Sequence, residues 1–108
     1  MRLLVIPFIL IATAPALAAP TFNKDIAPIM FNHCASCHRA GEIAPFERLT
    51  YKDVKKLATL IVDVTEDRFM PPWHPEKDYG TFHGERRLTD AQIAMIKQWV
   101  DAGCPEGD

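Results

Sequence analysis

Apolar and polar positions along this chain fall into blocks that read as distinct elements. Leu3 to Leu17 is almost purely apolar, broken by Pro7 and Pro15 and preceded by Arg2. From about Asp25 to Cys34 the apolar positions Ile26, Ile29 and Met30, with His33, recur at helical spacing. This predicts a first helix, with Pro28 tolerated in its opening turn. A second block places Val54, Leu57, Ala58, Ile61 and Thr65 on one face. Lys52, Lys55, Lys56, Asp63 and Glu66 cover the rest. Thr50 stands as N-cap with Asp53 three residues on, so one amphipathic helix is expected, ending near Asp67. A third helix opens at Thr89 and Gln92 in capping-box spacing and buries Ile93, Ile96, Trp99 and Val100. Gly103 and Pro105 stop it. Between the last two helices, Phe69-Met70-Pro71-Pro72-Trp73-His74-Pro75 carries three prolines in five residues, which forbid a helix and hold the chain extended. Trp73, Tyr79 and Phe82 make this loop unusually aromatic, and it is expected to wrap around something. No strand pattern or internal repeat stands out.

The apolar block at the start reads as an address. It is shorter than the roughly 20 residues that a bilayer-spanning helix needs, and Ala16-Leu17-Ala18 offers small residues at the positions signal peptidase reads. Residues 1–18 are therefore expected to be a cleaved signal peptide, with 19–108 a single domain in the periplasm. No membrane insertion is expected after cleavage. Of the 12 Lys and Arg side chains Arg2 leaves with the leader, so 11 remain against 14 acidic ones, a formal charge of −3. That mild balance argues against nucleic acid or an anionic membrane surface as the main partner. A domain this small is marginal on side chains alone, so a cofactor is expected to complete its interior.

The cysteines indicate which cofactor. Three in an exported chain cannot all pair. Cys34 and Cys37 lie three apart and are followed at once by His38, the spacing of covalent haem attachment. Two thiols on about one helical turn can each add across a haem vinyl group, and the next residue offers imidazole to the iron. A thioredoxin-like pair would want a βαβ setting that is not visible here. Zinc would want four spaced ligands, which adjacent Cys37 and His38 cannot easily join. A Cys34–Cys37 disulfide would be strained and would leave His38 without a role. One haem c per chain is expected, held by Cys34, Cys37 and His38. For the sixth iron ligand Met70 is favoured, because a thioether on a stiff loop can approach the iron and stay there. His74 and His83 are the competing donors, and Met30 and Met95 read as core fillers.

Asp25 to Ile29 before Cys34-Ala35-Ser36-Cys37-His38, then Met70-Pro71-Pro72-Trp73 and Leu88-Thr89-Asp90 before the Trp99 helix, resemble a class I c-type cytochrome domain over the whole of 19–108. The Met-Pro-Pro-Trp run resembles a bacterial subgroup often joined to larger redox proteins, including copper-dependent monooxygenase-like chains. This chain stops at Asp108 without a second domain, so any larger partner is expected to be separate. The resemblance implies an all-α cytochrome c fold of three main helices around one covalent haem. It implies iron ligation by His38 and Met70, with the Pro45 carbonyl orienting His38 (read alone, Pro45 is an ordinary turn residue). It also implies Trp99 packed against the first helix near Phe31. Arg86, Arg87 and Trp73 are candidate propionate contacts. His33 is expected to be exposed, and Cys104 to be an inert thiol behind the last helix.

These expectations describe a one-electron carrier rather than an enzyme. Its expected partners are a redox donor and acceptor, met through the uncharged surface at Ala35, Ser36, Ala40 and Gly41, and the cytochrome c maturation machinery. The alternatives are a haem catalyst or gas sensor with an open or labile sixth position, and an electron-entry subunit of a larger oxidoreductase.

Overall fold

A computed structural model describes residues 16–47, 49–73 and 75–108. Residues 1–15, which hold most of the expected signal peptide, and His74 lie outside the described residues. Among those described, the chain is helical with no strands, and no helix is long and apolar enough to cross a membrane.

The first helix begins earlier than the spacing predicts. A wide turn over Phe22–Ile26, with Ala27 N–H donating to the Phe22 carbonyl, leads directly into α1, Ala27–His33. The reason lies at Pro28, whose ring presses on the carbonyl four residues back in a regular α-helix; the wider turn before it gives that carbonyl room. Ile26, Ile29 and Met30 are buried, as their spacing requires.

The second predicted helix is two. α2, Tyr51–Lys56, and α3, Ala58–Glu66, break at Leu57, which sits at φ −101°, ψ 9°. Its N–H is shared between the Asp53 and Val54 carbonyls at 3.2 and 3.1 Å, a local tightening of the turn that needs neither Gly nor Pro. Thr50 caps α2: its hydroxyl accepts from Asp53 N–H and donates to the Asp53 carboxylate. The reciprocal half of a capping box is replaced by that side-chain contact.

α4, Asp90–Asp101, has the full box, with Thr89 and Gln92 each bonded to the other's backbone N–H. Gly103, at φ +87°, turns the chain out of it. α4 packs on α3 and on the Phe22–Ile26 turn.

The core gathers Ile26, Met30, Val54, Leu88, Ile96 and Trp99, all nearly or wholly removed from solvent. Trp99 packs on Phe22, with ring centroids 6.0 Å apart, and not on Phe31, which is 63 % exposed. Helical geometry explains the correction. One residue beyond Met30, Phe31 is rotated by about 100° away from the buried face. The Trp99 indole N–H donates to the Pro105 carbonyl at 2.9 Å, and Phe22 N–H meets that same oxygen at 2.9 Å. Tyr51 adds a third tie, its hydroxyl donating to the Cys104 carbonyl at 2.8 Å. The segment after α4 thus joins the first turn, α2 and α4 at one end of the bundle.

Candidate functional site

α1 runs straight into the cysteine motif. Cys34 N–H bonds the Met30 carbonyl at 2.9 Å, and His38 N–H bonds the Cys34 carbonyl at 3.0 Å. Cys34, Cys37 and His38 therefore occupy one helical turn at the end of α1, and all three line a single cleft of about 400 Å³. Both motif thiols are free and half-buried. Burial, and then the neighbouring Cys37 sulfur, push the Cys34 thiol up to about 11. It is a neutral thiol at physiological pH rather than an activated thiolate.

His38 is oriented by the loop that follows it. The chain turns at Gly41, at φ +81°, and folds back so that Ala44 N–H reaches the Cys37 carbonyl at 3.4 Å. This brings the Pro45 carbonyl 2.6 Å from His38 Nδ1. A carbonyl only accepts, so Nδ1 carries the proton, and the lone pair of the neutral ring lies on Nε2. Phe46, also on the cleft wall, turns the chain again at φ +64°.

α3 and the proline loop supply the opposite part of the lining. Leu57, Leu60, Ile61 and Val64 line the cleft from the break in α2/α3 onward. Thr65 also lines it, but its hydroxyl is spent on the Ile61 carbonyl at 2.7 Å. Met70 is held by its backbone: its N–H bonds the Val64 carbonyl at 2.9 Å, one turn beyond the end of α3. Met70 and His38 border the same cleft. His83 is exposed and takes no part in the lining. Met30 is buried in the core and reaches the cleft from below, whereas Met95 is only partly buried against the core.

The proline loop closes around the cleft only in part. Phe69, Met70, Pro71 and Pro72 line it, while Trp73, Tyr79 and Phe82 do not and stay exposed. The aromatic character of the loop after Pro72 therefore belongs to its outer surface.

His33 departs from the exposed position expected for it. It is half-buried, with Nδ1–H donating to the Arg86 carbonyl at 3.3 Å, and its Nε2 accepts from the Gln92 amide at 3.3 Å. The Gln92 oxygen is already engaged by Thr89 N–H at 2.8 Å, so the N-terminal cap of α4 is tied to the residue before the cysteine motif. Only the cap half of this network is local in sequence; His33 and Gln92 lie 59 residues apart. The arginines divide as an extended segment requires, with alternate residues on opposite sides. Arg86 and Leu88 line the cleft, while Arg87 pairs with Glu85 at 2.9 Å. Cys104 is buried, and that burial pushes its thiol up.

A porphyrin is a suitable occupant for these residues. Apart from the histidines, the two thiols, Thr65 and Arg86, every lining side chain is apolar. Two thiols on one turn, an imidazole with its Nε2 lone pair available and a thioether form a donor set suited to covalent attachment and axial ligation of iron. Among the described residues no group of three or more His, Cys, Asp or Glu side chains is arranged to hold a bare metal ion. Set against protein-family models, curated proteins and solved structures, the chain finds no match in any of the three comparisons.

Proposed function

We propose that this chain is an exported mono-haem c-type cytochrome that carries single electrons between redox partners. The observation that carries the proposal is one apolar cleft bordered by Cys34, Cys37, His38 and Met70, with His38 fixed by the Pro45 carbonyl. Cys34 and Cys37 would hold the group through thioethers, and His38 and Met70 would ligate its iron from the protein. Haem, when bound, supplies a ferric/ferrous couple.

The chain's own residues account for the rest of the behaviour. Pro45 holds the imidazole in one tautomer and one orientation, which favours a constant ligand geometry in both oxidation states. The aliphatic side chains of Leu57, Leu60, Ile61 and Val64 make one wall of the cleft apolar. A thioether ligand favours the reduced iron and raises the potential. Two protein ligands leave no coordination position for a substrate, which favours electron transfer over catalysis or gas sensing. The all-α arrangement, with the first helix leading into the motif and α4 packed on the turn that opens that helix, supports a cytochrome c fold.

Expression in a host that matures c-type cytochromes tests this directly. The denatured chain should keep haem bound through acid–acetone extraction, and Cys34→Ser with Cys37→Ser should release it. A chain that matures without covalent haem would contradict the proposal.

A further inference from the structure

His33 closes α1 and lines the cleft next to Cys34. Its two ring nitrogens engage residues 53 and 59 positions away. Nδ1 lies 3.3 Å from the Arg86 carbonyl, which only accepts, so Nδ1 carries a proton. On the other side the Gln92 amide is not free to turn over. Its oxygen accepts from Thr89 N–H at 2.8 Å, a backbone group that only donates. The amide NH2 must therefore face His33 Nε2, 3.3 Å away, and Nε2 accepts. The ring that satisfies both contacts is the neutral Nδ1–H tautomer. A second proton would set Nε2–H against that NH2, donor against donor. Gln92 escapes the clash only by taking its oxygen from Thr89, which breaks the capping box of α4. The N-terminal turn of α4, where the amide sits, also disfavours a cation.

We propose that His33 is a positioning residue, a latch that ties the turn carrying Cys34 to the N-terminal cap of α4, closed while its imidazole is neutral and released by a second proton. The Arg86 carbonyl sets the tautomer and keeps its bond in either state; the Gln92 side is what opens. The latch is made of this chain's residues alone and does not require the haem reading. Several charged and titratable groups lie on the elements around it. Cys34, Cys37 and His38 follow on its own turn, and Arg86 and the Glu85–Arg87 pair stand on the segment before α4. Asp90, ion-paired with Arg68, is in the first turn of α4. Comparing variants that retain all of these isolates His33.

Gln92→Glu tests the latch because it inverts the requirement. A glutamate carboxylate still accepts from Thr89 N–H, so the cap survives. It cannot donate to a neutral Nε2, but it accepts from a protonated one. Stability from the wild-type latch is present above about pH 6.5, where an unfolded histidine is neutral, and is lost as the pH falls below it. In Gln92→Glu the latch contributes below that value and is lost as the pH rises. Urea unfolding of the purified chain, in the haem state in which it is isolated, would be followed from about pH 8 down to about 5.5, above the ordinary glutamate value of about 4.3. Over that descent the unfolding constant of Gln92→Glu relative to wild type should fall about tenfold, the weight of one bond lost and another gained. In the His33→Phe background the same ratio should stay flat. A flat or rising ratio with His33 in place would overturn the proposal, and so would an equal fall in the His33→Phe background. Should the His33→Phe chains fail to fold, the imidazole ¹⁵N spectrum of the wild type near pH 8 takes their place. The Nδ1–H tautomer at His33 supports the latch, and the Nε2–H tautomer overturns it. The haem content of the same preparations tests the haem reading separately.

Discussion

At the residue scale, the chemistry of the cleft depends on how a few side chains are held. Met70 is placed by its own backbone bond to Val64, so shortening its side chain should leave the loop in position. Met70→Ala is expected to keep covalent haem but lower the midpoint potential, with loss of the thioether ligand read in the ferric spectrum. Cys34 gives a second prediction, for the haem-free chain. Folding favours its neutral thiol, held up to about 11. Stability conferred by this group is therefore complete below the pH at which an unfolded thiol ionises, about 8.5. It is lost as the pH rises toward about 11. Iodoacetamide labelling at Cys34, followed by mass spectrometry, should climb only in that upper range. Half-maximal labelling near 8.5 would show that the thiol is not buried. The gathering of Cys34, Cys37 and His38 on one cleft was legible because all three fall within five residues of sequence. The role of His33 was not, because its partner Gln92 lies 59 residues away and no local pattern marks it.

Capping decides most at the element scale. Thr89 and Gln92 satisfy each other's backbone, and Gln92 also reaches His33. Thr89→Ala should cost about 1 kcal/mol, a fall in Tm of about 4–8 °C in a domain of this size. Thermal unfolding followed by circular dichroism would measure it, and an unchanged Tm would mean that the box contributes nothing. Helix boundaries set by such side chains could be read directly from the chain, as at Thr50, Thr89 and Gly103. Boundaries set by backbone geometry could not. The wide turn before Pro28 and the break at Leu57 change which carbonyl a given N–H meets, while the apolar spacing on either side continues undisturbed. The periodicity of Val54, Ala58, Ile61 and Thr65 therefore reads as one helix although the backbone forms two.

For the whole molecule, the largest buried side chain links the most distant parts of the chain. Trp99 is fully buried, packs at a tilt on Phe22 and donates to the Pro105 carbonyl. Trp99→Ala should destabilise the protein by about 3–5 kcal/mol. Trp99→Phe should cost only about 1 kcal/mol, because Pro105 keeps its bond from Phe22 N–H. Denaturant titration of the two variants separates packing from hydrogen bonding, and equal losses would contradict that division. The helical class of the protein was evident from periodicity. The docking of Trp99 on Phe22 rather than Phe31 depended on where the first turn begins, which spacing alone does not reveal. The central claim concerns what fills the cleft that this packing leaves between α1, α3 and the proline loop. Its most direct test is the absorption spectrum of the purified ferric protein, extended into the near red, where methionine-sulfur-to-iron charge transfer absorbs. A low-spin haem spectrum with a weak band there, lost in Met70→Ala, is the predicted result. A high-spin spectrum, or no haem absorption from a host that matures c-type cytochromes, would contradict it.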